Sequence, residues 1–332
     1  MQKYFFSFIL SFIISYFLSL VLGRVKLNFK KEYSINERKI HRKPISHLGG
    51  VAIYLGSIVP LFLFLKINLV VSGLLLGGLI IFALGLMDDS LEVSPYFKLT
   101  LQSLAALVAI WCNVKIWVLS LPFLGPYSGY INYLVTFFWL IGVTNAFSLI
   151  DGLDGLAAGV TIISAVTLAY VAAIHHQGGP IIIAMSLTGA SLGFLRFNFH
   201  PAKIFMGDAG SLYLGFMLAS LAILIGAKKV TFFTLIIPVV ALGVPIVDTL
   251  LAIFRRFRRG QPIFAADREH LHHRLLSLGI SQRRAVLIIY AICLILSLTS
   301  IALAELKPLT GVIILFFLSY GLFWLAKNFK LI

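Results

Sequence analysis

Apolar residues run along this chain in long stretches separated by short polar intervals. A helix that crosses a bilayer needs about 20 mostly apolar residues. Eleven stretches qualify: 4–22, 48–66, 69–87, 99–118, 131–147, 156–175, 180–196, 211–227, 231–253, 285–304 and 309–326. The stretch 99–118 is the most polar of them, with Gln102, Asn113 and Lys115. The first has only Lys3 before it and no small-residue cleavage site after it, so it reads as a retained span rather than a signal peptide. The pattern predicts an all-α, polytopic membrane bundle of about eleven transmembrane helices, with ten as the alternative count. It forms one domain over 1–332, without internal repeats or a soluble module.

Composition narrows the class. Of 332 residues, 60% are hydrophobic and 12% charged, whereas a soluble domain is about 25% charged. Soluble, collagen-like, disordered and disulfide-rich classes are excluded. Cys112 and Cys293 stand far apart in apolar runs and read as packing residues. The 27 Lys and Arg against 12 Asp and Glu give a net charge of +15. In a soluble protein that would suggest nucleic acid. Here it marks sidedness, because Lys and Arg collect in cytoplasmic loops. The loops 23–47 and 254–284 carry most of the excess and fall on one side. That side is predicted to be cytoplasmic, with the N-terminus outside, the C-terminus inside and no nucleic-acid partner.

The scarce carboxylates say more. Eleven of the twelve fall at the predicted cytoplasmic boundary, and only Glu305 lies opposite. Acidic residues contribute little to orientation, so this bias points to chemistry. Four constellations stand there. Asp88 and Asp89 end the third span, where the helix dipole is unfavourable and the like charges repel. They read as a metal-binding or catalytic pair, or else as a solvated helix end, and Lys98 follows nine residues on. Next comes Asn145-Ala-Phe-Ser-Leu-Ile-Asp151-Gly-Leu-Asp154-Gly. A helix starting near Asp151 would put both aspartates on one face of its first turn. The third is Phe205-Met-Gly-Asp208-Ala-Gly-Ser, a Gly-flanked aspartate at a helix start. The fourth is Asp267-Arg-Glu-His270-Leu-His272-His273-Arg274, suited to anions or proton transfer. Asp248 lies inside the ninth span, where it reads as a functional group or as the partner of a bundle arginine such as Arg255. Abundant carboxylates without cysteine ligands favour a hard cation such as Mg²⁺. Together these features read as metal-assisted phosphoryl transfer.

The chain resembles the polyprenyl-phosphate N-acetylhexosamine-1-phosphate transferases, a family of the cell-envelope polysaccharide pathways (teichoic acid, O-antigen of lipopolysaccharide, peptidoglycan). The similarity runs from Arg38-Lys-Ile-His41 and Gly49-Gly50, through the four constellations, to His272-His273-Arg274. It implies a helical bundle in the bacterial inner membrane with the active-site cleft on the cytoplasmic side. The implied reaction takes a UDP-N-acetylhexosamine and undecaprenyl phosphate to a polyprenyl diphospho-sugar and UMP, with Mg²⁺ or Mn²⁺. By resemblance, Asp88, Asp89, His272 and His273 are catalytic, and Asp208, Asn145 and Asp151 hold the metal. Lys98, Asp154, Phe205, His270, Arg274 and His41 bind substrate. The His-Leu-His-His-Arg form of the last motif favours UDP-GlcNAc over UDP-MurNAc-pentapeptide, and UDP-GalNAc is a further alternative. Ser148 stands where the family often has Asn. The bilayer is a partner, and a homodimer is an allowed assembly. A cation-coupled transporter is the rival class, disfavoured because the ionisable groups gather at one face rather than at the midplane.

Overall fold

A computed structural model describes residues 1–25, 45–91, 93–116, 128–226, 232–262 and 269–306, with a few positions between 310 and 321. The helices in chain order are α1 (Gln2–Leu22), α2 (Gly49–Phe64), α3 (Leu69–Leu91), α4 (Pro95–Trp111), α5 (Ser128–Ile150) and α6 (Leu156–Ile174). They continue with α7 (Gly178–Asn198), α8 (Gly207–Gly226), α9 (Phe232–Ala241), α10 (Gly243–Arg258), α11 (Leu271–Ser277) and α12 (Gln282–Glu305). Among the described residues there is no strand, only one bridge between Ser46 and Ile204.

Seven described helices are long and apolar enough to cross a membrane: α1, α3, α5, α6, α7, α8 and α12. The protein is therefore a multi-pass membrane protein. The predicted eleven-span map changes in four places. The stretch 48–66 becomes α2, an apolar helix of 16 residues that falls short of the seven. The stretch 231–253 is two helices rather than one, broken at Leu242 between Pro238 and Pro245, since proline removes a backbone donor and clashes with the preceding turn. The stretch 99–118 becomes α4, which starts earlier, behind a Ser94 cap and Pro95, and stops at Trp111. Most of 309–326 lies outside the described residues.

Helix α8 is the centre of the bundle: every residue from Ala209 to Ile223 is buried. It packs against α3, α5 and α2. Because lipid tails are as apolar as leucine, helices in a membrane associate through close packing of small residues. The seam between α1, α2 and α7 shows this. Ser7, Ser11, Ser15 and Ser19 repeat every fourth residue of α1 and are all buried. Ser15 Oγ donates to the Ala190 carbonyl of α7 at 2.7 Å. A Cβ added at Gly193 would lie 2.6 Å from the Phe12 carbonyl oxygen, and one at Gly56 would lie 2.8 Å from Ser15 Cβ. Cys112 and Cys293 are both buried and unbridged.

From α1 to α8, consecutive helices alternate in direction, so α1 and α7 lie parallel. The C-terminal ends of α3, α5 and α7 therefore meet the N-terminal ends of α2, α4, α6 and α8 at one end of the bundle. Glu305, at the far end of α12, accepts from the Tyr170 hydroxyl at 2.9 Å. The other described carboxylates gather at the opposite end.

Gly193→Val should overpack the α1–α7 seam and lower stability by about 1–3 kcal/mol. Thermal unfolding in detergent reads this directly; an unchanged melting temperature would mean that the seam is looser than described.

Candidate active site

Helices α3 and α8 touch backbone to backbone at the acidic end. A Cβ at Gly85 would collide with Ala209, so only glycine lets α3 come this close. One turn later, Asp89 meets the start of α8. Its Oδ1 accepts from the Asp208 N–H at 2.8 Å and its Oδ2 from the Ala209 N–H at 3.1 Å. A helix N-terminus presents unpaired donors and partial positive charge, and the Asp89 carboxylate answers both. Gly207, at φ +65°, makes the tight turn, and the Asp89 carboxylate occupies the space a side chain would need there.

Asp88 points elsewhere. It is 6% exposed, and its Oδ1 accepts from the Val93 N–H at 3.1 Å. Its Oδ2 pairs with Lys98 Nζ at 2.5 Å. Lys98, in the first turn of α4, also reaches Asp208 Oδ2 at 3.2 Å. One ammonium thus stands between two carboxylates from different helices. The other oxygen of Asp208 accepts from Ser148 Oγ at 3.2 Å, so the serine makes a polar contact within the cluster. Asn145, Ser148 and Asp151 stand at three-residue spacing, in the last turns of α5 and just beyond it, and share one side of it.

Asp151 and Asp154 are not on the first turn of α6, contrary to the sequence reading. That helix starts at Leu156, behind Gly155 at φ +81°. The aspartates occupy the preceding turn. Burial raises the Asp151 pKa well above the usual carboxylate range, and the negative charges of Asp208, Asp89 and Asp154 add to it. Asp154 faces the α7–α8 connection, where its Oδ2 pairs with His200 Nδ1 at 2.9 Å and accepts from the Ala202 N–H at 3.0 Å. Asn198 ties the same segments together: its Oδ1 accepts from the Gly155 N–H, and its Nδ2 donates to the Ile204 carbonyl, both at 2.9 Å. The Tyr290 hydroxyl of α12 donates to the Gly155 carbonyl at 2.5 Å.

Phe205 is part-buried beside the His47 ring, with centroids 5.3 Å apart. Its backbone pairs with Ser46 and Gly49 on the strand-like approach to α2. His41 lies outside the described residues, as do Glu92 and Asp267.

The histidine motif is anchored by Asp248. That residue pairs with His270 Nδ1 at 2.9 Å, and its other oxygen accepts from the Leu271 N–H at 2.9 Å. Of the two readings of Asp248, the arginine pairing does not occur: its partners are His270 and the Leu271 N–H. The exposed Val247, Leu250, Phe254 and Phe257 lie on the opposite side of α10, which leaves Asp248 inward. His272 is pressed against Gly152, in the turn that carries Asp151, and so the motif joins the acidic cluster. The rings of His272 and His273 are 4.2 Å apart. Burial and the neighbouring His273 lower the His272 pKa to about 4. Arg274 Nη2 pairs with Glu269 at 2.9 Å and Arg259 with the same carboxylate at 2.7 Å; the Arg259 contact holds Glu269 below its ordinary pKa.

The sequence reading missed Asn198, His200 and Tyr290, and it quoted Glu269 within the fourth constellation without giving it a role. Asn198 and His200 had a signal, polar residues closing an apolar span; Tyr290, inside an apolar helix, had none.

Among the described residues, no group of three or more His, Cys, Asp or Glu side chains is placed to hold a metal ion by itself. The donors at this end are nevertheless hard oxygens: Asp88, Asp208, Asp151 and the Asn145 amide. Mg²⁺ takes one or two carboxylates, keeps several waters and uses substrate phosphates for the rest. The Lys98 bridge shows that positive charge is already accommodated between two of these carboxylates. The donor set fits such an ion.

The fold and site define a multi-pass, all-helical membrane protein with an acidic, phosphate-suited centre at one end of its bundle. Residues 71–226 match the family model described as glycosyl transferase family 4. A Bacillus subtilis (strain 168) protein named "Probable undecaprenyl-phosphate N-acetylglucosaminyl 1-phosphate transferase" is 38% identical over 305 residues, covering 90% of this chain and 84% of its own. A decaprenyl-phosphate N-acetylglucosaminephosphotransferase of Mycobacterium tuberculosis (strain ATCC 25618 / H37Rv) is 38% identical, covering 76% and 71%. A phospho-N-acetylmuramoyl-pentapeptide-transferase of Moorella thermoacetica is 34% identical, covering 86% and 94%. The chain belongs to this family of polyprenyl-phosphate hexosamine-1-phosphate transferases.

Stability should fall with acid. The fold holds His272 neutral, so the unfolded chain binds more protons between the ordinary histidine pKa near 6.5 and the folded value of about 4. Stability is therefore full above about pH 6.5 and is lost as pH falls towards 4. Glu269, with its pKa depressed, adds stability above the ordinary glutamate value that is lost as pH falls through its folded pKa. Melting temperature against pH should lose part of its slope in His272→Gln, and an unchanged slope would show that His272 titrates normally.

Proposed function

We propose that this protein transfers GlcNAc-1-phosphate from UDP-GlcNAc to undecaprenyl phosphate, releasing UMP and beginning a cell-envelope polysaccharide. The observation that carries the reading is the Asp88–Lys98–Asp208 cluster at the end of the bundle. Relatives that share most of the chain are named for polyprenyl phosphate and N-acetylglucosamine phosphate transfer. The His-Leu-His-His-Arg motif supports GlcNAc over the MurNAc-pentapeptide donor. The excess of Lys and Arg in the loops beside the cluster supports a cytoplasmic active site, an outside N-terminus and an inside C-terminus.

An acidic and basic centre at the membrane boundary suits an amphiphilic acceptor, whose phosphate stays at headgroup depth while its tail remains in lipid. An oxygen of the lipid phosphate attacks the phosphorus that bears the sugar. The bond from that phosphorus to the bridging oxygen breaks, and UMP leaves with that oxygen. Lys98 offsets the charge of the two phosphates. Asp208, Asp151 and Asn145 would hold Mg²⁺, which supplies charge neutralisation on the diphosphate. Asp89 positions Asp208 rather than reacting, since both of its oxygens already accept backbone N–H bonds. Both oxygens of Asp88 are engaged as well, by the Val93 N–H and by Lys98, so no base is assigned. A lipid phosphate is largely ionised near pH 7 and has limited need of one, so direct attack is the simpler route. Asp154 shapes the α7–α8 connection, and the Asp248–His270 pair sets His272 against the turn that carries Asp151.

Purified protein with Mg²⁺, UDP-GlcNAc and undecaprenyl phosphate should release UMP. Silence with every UDP-N-acetylhexosamine would overturn the reading. Asp88→Asn and Asp208→Asn should each lower turnover by about 100-fold or more, while Ser148→Ala should cost about 10-fold. Near-normal turnover in both aspartate variants would remove the residue assignments while leaving the reaction standing.

A further inference from the structure

Gln102 is the most deeply buried amide at this end of the bundle and has no part in the reaction as described. Only 2% of it is exposed, and it lies one turn beyond Lys98 on the same side of α4. A polar side chain buried within an apolar helix needs a partner. Gln102 has one that is unusually well defined. Its Oε1 accepts from Asn145 Nδ2 at 2.7 Å, and its Nε2 donates to Asn145 Oδ1 at 3.2 Å.

The orientation of both amides follows from one backbone atom. Asn145 Nδ2 lies 2.8 Å from the Ile141 carbonyl oxygen, which can only accept. The Asn145 atom on that side must therefore be the NH₂ group. Its second hydrogen goes to Gln102, so the facing Gln102 atom must be the carbonyl oxygen. Gln102 Nε2 is then left opposite Asn145 Oδ1. Both hydrogens of Asn145 are committed, while its Oδ1 accepts one bond and keeps a second lone pair. The Asn145 side chain can therefore offer the site an oxygen acceptor and nothing else. An acceptor serves a cation; a phosphate would need the donor that is turned away.

We infer that Gln102 is a positioning residue that locks the Asn145 amide with its oxygen available to the divalent cation. This deepens the proposed function and rests on its assignment of Asn145 to the metal. Partners that orient metal ligands are typically worth about 10–100-fold in metal affinity.

The test uses full-length protein in detergent with Mn²⁺ as a paramagnetic probe, and no lipid acceptor. Bound Mn²⁺ is counted by electron paramagnetic resonance, with and without UMP, alongside the melting temperature. Gln102→Met keeps the length and removes both hydrogen bonds. It should weaken Mn²⁺ binding by about 10-fold or more. In an Asn145→Asp background either carboxylate atom is an oxygen, so the same substitution should cost less than about threefold. Loss of melting temperature with wild-type Mn²⁺ affinity would show a merely structural residue and overturn the inference. An equal penalty in both backgrounds would overturn it as well. Absence of saturable Mn²⁺ binding in the wild type would overturn it together with the metal assignment, whereas UMP release tests the reaction separately. If Gln102→Met does not fold, Gln102→Glu keeps an acceptor for Asn145 Nδ2, and its Mn²⁺ affinity should stay at or above the wild-type value; a drop of 10-fold would overturn the inference.

Discussion

The start of α8 sets the terms for everything around it. A helix buried from its third residue onward gains from having its first N–H groups paired, because unpaired donors at the edge of a medium without water are costly. The protein resolves this with a carboxylate from another helix. Asp89 accepts from Asp208 and Ala209, and this requires α3 and α8 to touch at Gly85 and the chain to turn at Gly207. Asp208 is consequently fixed at the mouth of a positive helix end with its side chain turned to Lys98 and Ser148. The geometry of the acidic centre is a by-product of satisfying a helix terminus.

The same economy recurs around the centre. Asp248 accepts from the first N–H of α11 while pairing with His270. Asp154 accepts from Ala202 while pairing with His200. Each aspartate satisfies one backbone donor and one side chain, and the side chains that result are aimed rather than merely present. Asn198 and Tyr290 hold the two ends of the Gly155 peptide unit in the same manner. The turn bearing Asp151 is thus braced from α7 and α12, far from it in sequence.

Much of this was legible in the chain itself. The apolar runs announce the helices, because a bilayer demands about 20 such residues and little else. The one-sided carboxylates announce the site, because charge is excluded from hydrocarbon and so cannot be scattered. What stayed hidden depends on partners distant in sequence. Asp248 could have met an arginine on its own helix; only the fold brings His270 to it. The α6 start was misplaced because Asp151 resembles a helix cap, whereas Gly155 makes the turn. Pro238 and Pro245 did mark the break between α9 and α10, but a long apolar run outweighed them. Gln102 looked like a flaw in a span, since its partner Asn145 is 43 positions away.

Lys98 carries one further implication. Its ammonium already sits between Asp88 and Asp208, as a counter-ion the chain supplies for itself. One positive charge is therefore already in place between two negative ones when the protein is folded, which offsets part of their repulsion beside the lipid. Any cation that entered between the two carboxylates would have to displace a tethered one, which makes its binding an exchange rather than an addition.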